Sequence, residues 1–214
     1  VALYRGCATS AMREAKNGVE IIQQIKQETG LKIEIINGKE EAEIIYANHI
    51  EKLIDDKQAY LYVDVGGGST EITYFKNGNV ADSRSFNIGT IRILNDMVKT
   101  SKWEDLHAWL DDILKGQHVQ LIGSGGNINK VAKISKKDPK EPLSYDYIKG
   151  YYDTLRSHTY EERILKLDLN PDRADVIIPA MKIFVNIMKW TKSKQIYVPK
   201  VGLADGIIKQ LAGV

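Results

Sequence analysis

Asp64-Val65-Gly66-Gly67-Gly68-Ser69-Thr70-Glu71 is the stretch that decides the fold. An apolar run, Ala59 to Val63, enters it, and a β-prone run, Ile72 to Phe75, leaves it. Three consecutive glycines between two strand-like runs read as a turn at which the backbone comes close to something. Unobstructed N–H groups there can cradle phosphate oxygens. Side chains alternate along a strand, so Ser69, Glu71 and Thr73 share one face, and Thr70, Ile72 and Tyr74 the other. Asp64 ends the incoming strand and converges with Glu71 across the turn. Two carboxylates beside backbone N–H groups suit a hard cation such as magnesium, or the positioning of a water for attack on phosphorus. The structural alternative is a plain hairpin with solvated acids.

The neighbouring segments extend that unit. Val80 to Asn87 is a third strand, and Asn77-Gly78 before it is a hairpin signal. The three runs form an antiparallel meander. Helices are expected over Thr90 to Val98 and Trp103 to Leu114. A strand over His118 to Ile122 runs into Gly123-Ser124-Gly125-Gly126-Asn127 and a helix over Ile128 to Ile134. Strand, glycine loop and helix in that order offer a second phosphate or sugar grip at a helix N-terminus, although four such residues alone are a weak signal. Ser135 to Pro142, with Lys136, Lys137 and Lys140, reads as an exposed solvated loop rather than a nucleic-acid patch. Those lysines would favour a polyanion if they lined a channel. Helices follow over Ser144 to Leu155 (capped by Ser144), Tyr160 to Leu167 and Asp172 to Lys189, with Pro179 kinking the last or ending its first part. Gln195 to Pro199 is a strand, and Leu203 to Leu211 a closing helix.

Before the glycine turn, Val1 to Arg5 is β-prone, Thr9 and Ser10 cap a short helix, and Val19 to Thr29 is a helix closed by Gly30. Leu31 to Ile36 alternates as a strand, and Lys39 to Asp56 is a helix with Glu40 and Glu41 in its first turn, where the dipole favours carboxylates. Asp55-Asp56-Lys57 is the candidate boundary. The order is α/β with a mixed sheet.

Composition narrows the function classes. The 214 residues include 30 Lys and Arg against 28 Asp and Glu, a formal charge of +2, so no global field points to nucleic acid or membrane. One cysteine, Cys7, fits a reducing, cytoplasmic setting. No apolar run is long enough to span a bilayer. His49, His107, His118 and His158 lack metal-ligand spacing, Gly66 to Ser69 lacks the lysine of a Walker loop, and no dinucleotide fingerprint is present.

The octapeptide 64–71 resembles the D-[IV]-G-G-G-S-T-E signature of the exopolyphosphatase/guanosine pentaphosphate phosphohydrolase family. Ala8 to Ala15 resembles its A-T-S-A-x-R-x-A. Asn37-Gly38-Lys39-Glu40-Glu41-Ala42 resembles its S-G-x-E-E-A, with Asn37 for serine. Gly123 to Gly126, Asp172 to Ile177 and Gly202 to Ile207 match weaker motifs. The resemblance implies an actin-like (ribonuclease H-like) two-lobed fold with its site in the interlobe cleft, and removal of terminal phosphate from inorganic polyphosphate or guanosine pentaphosphate with Mg2+. By position, Glu41 corresponds to the catalytic glutamate that activates water. The helix dipole would also keep it ionised, as a base requires. Asp64 and Glu71 correspond to acids that bind the metal or position water. Arg13, Gly66, Gly67, Gly68 and Ser69, together with Gly123, Ser124, Gly125 and Gly126, are expected to contact phosphate. Family members are commonly dimers. The family's first loop, roughly D-x-G-S-N-S, has no counterpart here, so residues 1–57 are expected to form the rear of an incomplete first lobe, and residues 58–214 the second. Two rivals keep the fold: a non-catalytic polyphosphate- or alarmone-binding regulator, and another actin-like ATPase or sugar kinase.

Overall fold

A computed structural model describes residues 3–46, 58–199 and 202–213. Its contacts divide the chain into two units, Val1–Asp55 with Val201–Val214, and Asp56–Lys200.

In the first unit, β1 (Gly6–Ala8) pairs in parallel with β2 (Ile33–Ile35). Between them lie α1 (Ser10–Glu14) and α2 (Gly18–Thr29). Helix α2 ends at Gly30 in the left-handed conformation (φ 75°), which a residue with a Cβ adopts only at a cost. Thr9 precedes α1 without a side-chain capping bond, contrary to expectation. Helix α3 (Gly38–Tyr46) starts after Asn37, whose Oδ1 accepts from the Glu40 N–H at 2.9 Å. Asparagine caps as serine does, so the departure from the family motif at Asn37 preserves the physics of the helix start. The expected continuation of this helix to Asp56, with His49 and the boundary tripeptide Asp55-Asp56-Lys57, lies outside the described residues. Helix α11 (Leu203–Ala212) packs on α3. The expected second lobe, 58–214, therefore loses its closing helix to the first unit. Gly206 explains the close fit: a Cβ there would stand 2.0 Å from the Ile44 carbonyl oxygen.

The second unit is built on a six-stranded mixed sheet. Its strands are β3 (Tyr60–Val65), β4 (Thr70–Lys76), β5 (Asn79–Phe86), β6 (Gln120–Ser124), β7 (Leu143–Ser144) and β8 (Gln195–Tyr197), in the order β5-β4-β3-β6-β8-β7. Strands β3, β6 and β8 are parallel neighbours, and β4, β5 and β7 run antiparallel to theirs. The turn between β4 and β5 holds Asn77 and Gly78 at φ 52° and 72°, the positive pair that matches strand twist in a two-residue hairpin. Leu61, Val63 and Val65 enter the main core, and Tyr60 and Tyr62 are buried on the opposite face of β3, as expected for a central strand.

Helices α4 (Thr90–Leu94), α5 (Thr100–Leu114), α6 (Gly126–Ser135), α7 (Tyr145–Ser157), α8 (Tyr160–Leu165), α9 (Pro171–Ala174) and α10 (Ile177–Trp190) complete the unit. Helix α10 is buried nearly all round, from Ile177 through Phe184 to Met188. The helix expected over Asp172 to Lys189 is split, its first part ending at Ala174 as α9, as a proline at 179 that clashes with the carbonyl four residues earlier requires. The break between α9 and α10 puts Pro179 in the first turn of α10, where its missing N–H has no intrahelical acceptor to lose. Ser144 caps α7 by accepting from the Tyr147 N–H at 3.2 Å.

Gly206→Ala is expected to cost about 3 kcal/mol in urea unfolding, because the new methyl meets backbone rather than a mobile side chain. An unchanged midpoint would mean that α11 does not seat on α3 through this residue.

Candidate functional site

The glycine turn owes its shape to its carbonyls. Gly66 donates to the Ser69 carbonyl at 3.0 Å, which closes the turn. The Gly66 carbonyl accepts from the Thr90 N–H at 3.0 Å, and the Gly67 carbonyl from the Ile91 N–H at 2.9 Å. Arg92 Nε donates to the Gly68 carbonyl at 2.7 Å. All three carbonyls are thus directed to the start of α4. Gly89 lets the two backbones touch, since a Cβ there would lie 2.3 Å from the Gly67 oxygen. The N–H groups of Gly67 and Gly68 donate to no acceptor among the described residues.

No glycine of the turn has a positive φ, and a Cβ on Gly68 would meet nothing within 4 Å among the described residues. Neither backbone conformation nor packing against the described residues accounts for glycine at 68. A concave run of amide donors kept clear of side chains does.

The acids stand beside this cradle. Asp64 and Glu71 are cross-strand partners on β3 and β4. Ser69 Oγ donates to Glu71 Oε1 at 2.6 Å, and Ser85 Oγ to the same oxygen at 3.1 Å. The Ser69 hydroxyl, expected on phosphate, is therefore engaged with Glu71. Ser85, which faces Glu71 from β5, was not evident from the sequence, and only the hairpin register reveals it. On the other side, Ser124 is Asp64's partner in the parallel ladder, and its hydroxyl donates to Asp64. Burial first, and the charge of Glu71 second, push the Asp64 carboxyl up to about 6, against the Ser124 hydrogen bond, which lowers it.

The second glycine loop follows β6, at the same carboxyl edge of the parallel strands. Gly123 is a core-packing residue: a Cβ would stand 2.8 Å from Ile196 Cδ1 and 3.3 Å from Ile128 and Phe184 atoms. The absence of a side chain at 123 therefore answers to the core. Gly125 has φ 111°, and its Cβ would lie 2.7 Å from the Val65 carbonyl and 3.4 Å from Asp64 Oδ1. This loop therefore lies directly against the first. Gly126 opens α6, with Arg173 across it: a Cβ would be 3.0 and 3.3 Å from the guanidinium's terminal nitrogens. That guanidinium has no protein acceptor among the described residues. Asn127 is buried, and its Oδ1 has no hydrogen-bond partner among the described residues. Spacing did not mark Arg173 as a site residue, because it comes from α9, far along the chain.

In the first unit, Glu41 is buried in the first turn of α3. Arg13 Nη1 lies 3.7 Å from Glu41 Oε2 and donates to the Ile36 carbonyl at 2.7 Å. Arg13, expected at phosphate, is thus placed on Glu41's carboxylate. Neighbouring Glu40 pairs with Arg5 at 2.7 Å.

The residues fit a magnesium ion. Asp64, Glu71 and their serines offer only oxygen, and magnesium takes one or two carboxylates while keeping waters. The repulsion that raises the Asp64 carboxyl is the kind a cation relieves. Among the described residues no group of three or more His, Cys, Asp or Glu side chains could hold a metal.

The sequence profile of the Ppx/GppA phosphatase family matches residues 5–213. A bifunctional 3-dehydroquinate synthase/phosphatase of Fusobacterium nucleatum is 29% identical over 208 residues, covering 86% of this chain and 31% of that protein. A guanosine-5'-triphosphate,3'-diphosphate pyrophosphatase of Pseudoalteromonas translucida is 24% identical, covering 95% of this chain and 42% of its own length. The chain thus spans less than half of either relative. The crystal structure of the Aquifex aeolicus Ppx/GppA family member superposes with a TM-score of 0.75 at 26% identity, over 97% of this chain and 73% of that one. The fold is accordingly the actin-like one of that family.

Asp64→Asn tests the electrostatics. The folded state binds this proton more tightly than the unfolded chain, where an aspartate titrates near 3.9. Stability from this group is therefore full below about pH 4 and is lost as pH rises through about 6. The variant should be more stable than the parent at neutral pH by on the order of 2 kcal/mol, with the difference vanishing near pH 4. A pH-independent difference in urea unfolding would contradict the assignment.

Proposed function

We propose that this chain, which belongs to the Ppx/GppA phosphatase family, is a phosphoanhydride hydrolase that releases terminal phosphate from inorganic polyphosphate or guanosine pentaphosphate by attack of water. The observation that carries the reading is the Gly67–Gly68 pair of outward N–H donors beside the Asp64–Glu71 rung. Amide donors of this kind match phosphoryl oxygens, and preorganised donors are most effective where negative charge accumulates in the transition state.

The roles divide as follows. Gly67 and Gly68 bind the phosphoryl oxygens through their backbone N–H groups, and Gly66 closes the turn that presents them. Gly125, Gly126 and the start of α6 supply a second anion-binding end, and Arg173 adds a planar fork suited to phosphate. Asp64 and Glu71 would hold Mg2+, which when bound would offset charge on the phosphoryl oxygens. Ser69 and Ser85 orient Glu71, and Ser124 orients Asp64. Glu41 takes the proton of the attacking water while the bond from the terminal phosphorus to the bridging oxygen breaks and that oxygen leaves with the shortened chain. Arg13 fixes the Glu41 carboxylate. Sequence position in the family motif supports Glu41's part, and the lone cysteine supports a cytoplasmic setting. Among the described residues no helix is long and apolar enough to cross a membrane.

Phosphate release from polyphosphate and guanosine pentaphosphate tests the reading. Glu41→Gln should lower the rate by roughly 10²–10⁴-fold, and an unchanged rate would remove Glu41 from the mechanism. Gly68→Ala should leave urea stability within about 0.5–1 kcal/mol of the parent, or slightly raise it, yet impair release at least tenfold. Full activity in that variant would show that nothing approaches the turn at 68.

A further inference from the structure

The three carbonyls of the glycine turn are not held alike. Thr90 and Ile91 hold those of Gly66 and Gly67 through backbone N–H groups, and no substitution there short of proline removes such a donor. The Gly68 carbonyl is held by a side chain, with Arg92 Nε at 2.7 Å. We propose that Arg92 is a positioning residue for phosphoryl transfer to water, which acts through this bond by keeping the Gly68 carbonyl turned away from the phosphoryl oxygens. The inference rests on the hydrolase reading above and adds a residue that touches neither substrate nor metal.

Gly68 has the freedom that makes such a bond necessary. A Cβ there would meet nothing within 4 Å among the described residues, and glycine limits its own backbone less than any other residue. Neither sterics nor packing therefore fixes the peptide plane between Gly68 and Ser69. Among the described residues the Gly68 carbonyl accepts from Arg92 alone. Released from it, that oxygen can swing to the concave side, beside the Gly67 and Gly68 N–H groups. A carbonyl dipole among those donors opposes a phosphoryl oxygen, and does so most where negative charge accumulates in the transition state.

Arg92 lies in the last turn of α4, where any cation complements the helix dipole. The dipole does not account for the direction of the side chain. Nε reaches a carbonyl 24 positions away in the chain, on the very turn that carries the donors, and the bond is partly buried. It is also charge-assisted, and so stronger than a bond between neutral groups. The donor is the nitrogen set back along the side chain rather than the fork at its tip. A bond from that position needs a donor more than it needs a charge.

Side-chain chemistry separates the two. Glutamine carries its amide nitrogen the same number of bonds from the backbone as arginine carries Nε. Arg92→Gln therefore restores the donor and removes the charge. Methionine reaches as far with neither, and Arg92→Lys keeps the charge on a flexible stem.

The test compares these three variants with the parent in the full-length protein, with urea unfolding measured to show that the fold is kept, and reads kcat and KM for tripolyphosphate. Arg92→Met should lower kcat roughly 10- to 100-fold, with KM within about threefold of the parent. Arg92→Gln should bring kcat back to within about threefold of the parent. The carbonyl carbon resonance of Gly68, read by NMR without ligand, should move upfield in Arg92→Met and return in Arg92→Gln. Parental kcat in Arg92→Met, or an unmoved Gly68 carbonyl, would overturn the proposal. So would an Arg92→Gln protein as slow as Arg92→Met, and recovery in Arg92→Lys alone would assign the charge of residue 92 to phosphate directly. Lack of phosphate release by the parent from any substrate would instead overturn the hydrolase reading. The shifts of the Gly67 and Gly68 amides on titration with a non-hydrolysable polyphosphate analogue would then still decide the role of Arg92. Shifts kept in Arg92→Gln and diminished in Arg92→Met support it, and equal shifts in parent and Arg92→Met overturn it.

Discussion

The carbonyls of Gly66, Gly67 and Gly68 are each held by a donor from the first residues of α4, two backbone N–H groups and the Arg92 guanidinium. A peptide plane cannot turn its C=O one way without turning its N–H the other. Fixing the acceptors on α4 therefore aims the donors of Gly67 and Gly68 at the opposite side. Gly89 makes this possible by allowing two backbones to meet with no side chain between them. The register that follows places Asp64 opposite Glu71, and the parallel ladder to β6 places Ser124 and the second glycine loop beside Asp64.

That arrangement is electrostatically costly without a ligand. Two carboxylates share one rung, and Asp64 is partly desolvated, so its proton affinity rises. A protein selected only for stability would place an amide or a hydroxyl there. Such a local cost is common where a site must bind cations and phosphoryl groups.

Much of this was legible in the sequence. The three-strand meander followed from alternation and from Asn77-Gly78, and the convergence of Asp64 with Glu71 followed from counting across the turn. Local patterning did not reveal which carbonyls α4 would hold, because those bonds join residues more than twenty positions apart. Gly123 illustrates a further limit: two glycines three residues apart in one loop, 123 and 126, look alike in sequence. One is required by Ile196, Ile128 and Phe184, and the other stands beneath Arg173. Pro179 did mark the end of a first helical part, but the exact break at 175–176 was not legible. Ser85 gave no signal and Arg173 only a weak motif match without a role, since each reaches the site from a distant element.

The central claim is that the Gly67 and Gly68 amides are donors kept for phosphoryl oxygen. Amide proton shifts of these two glycines, followed by NMR while a non-hydrolysable polyphosphate analogue is titrated in the presence of Mg2+, test it most directly. Both amides should move downfield together and saturate with the ligand. Binding of the analogue with both amides unmoved would contradict the account.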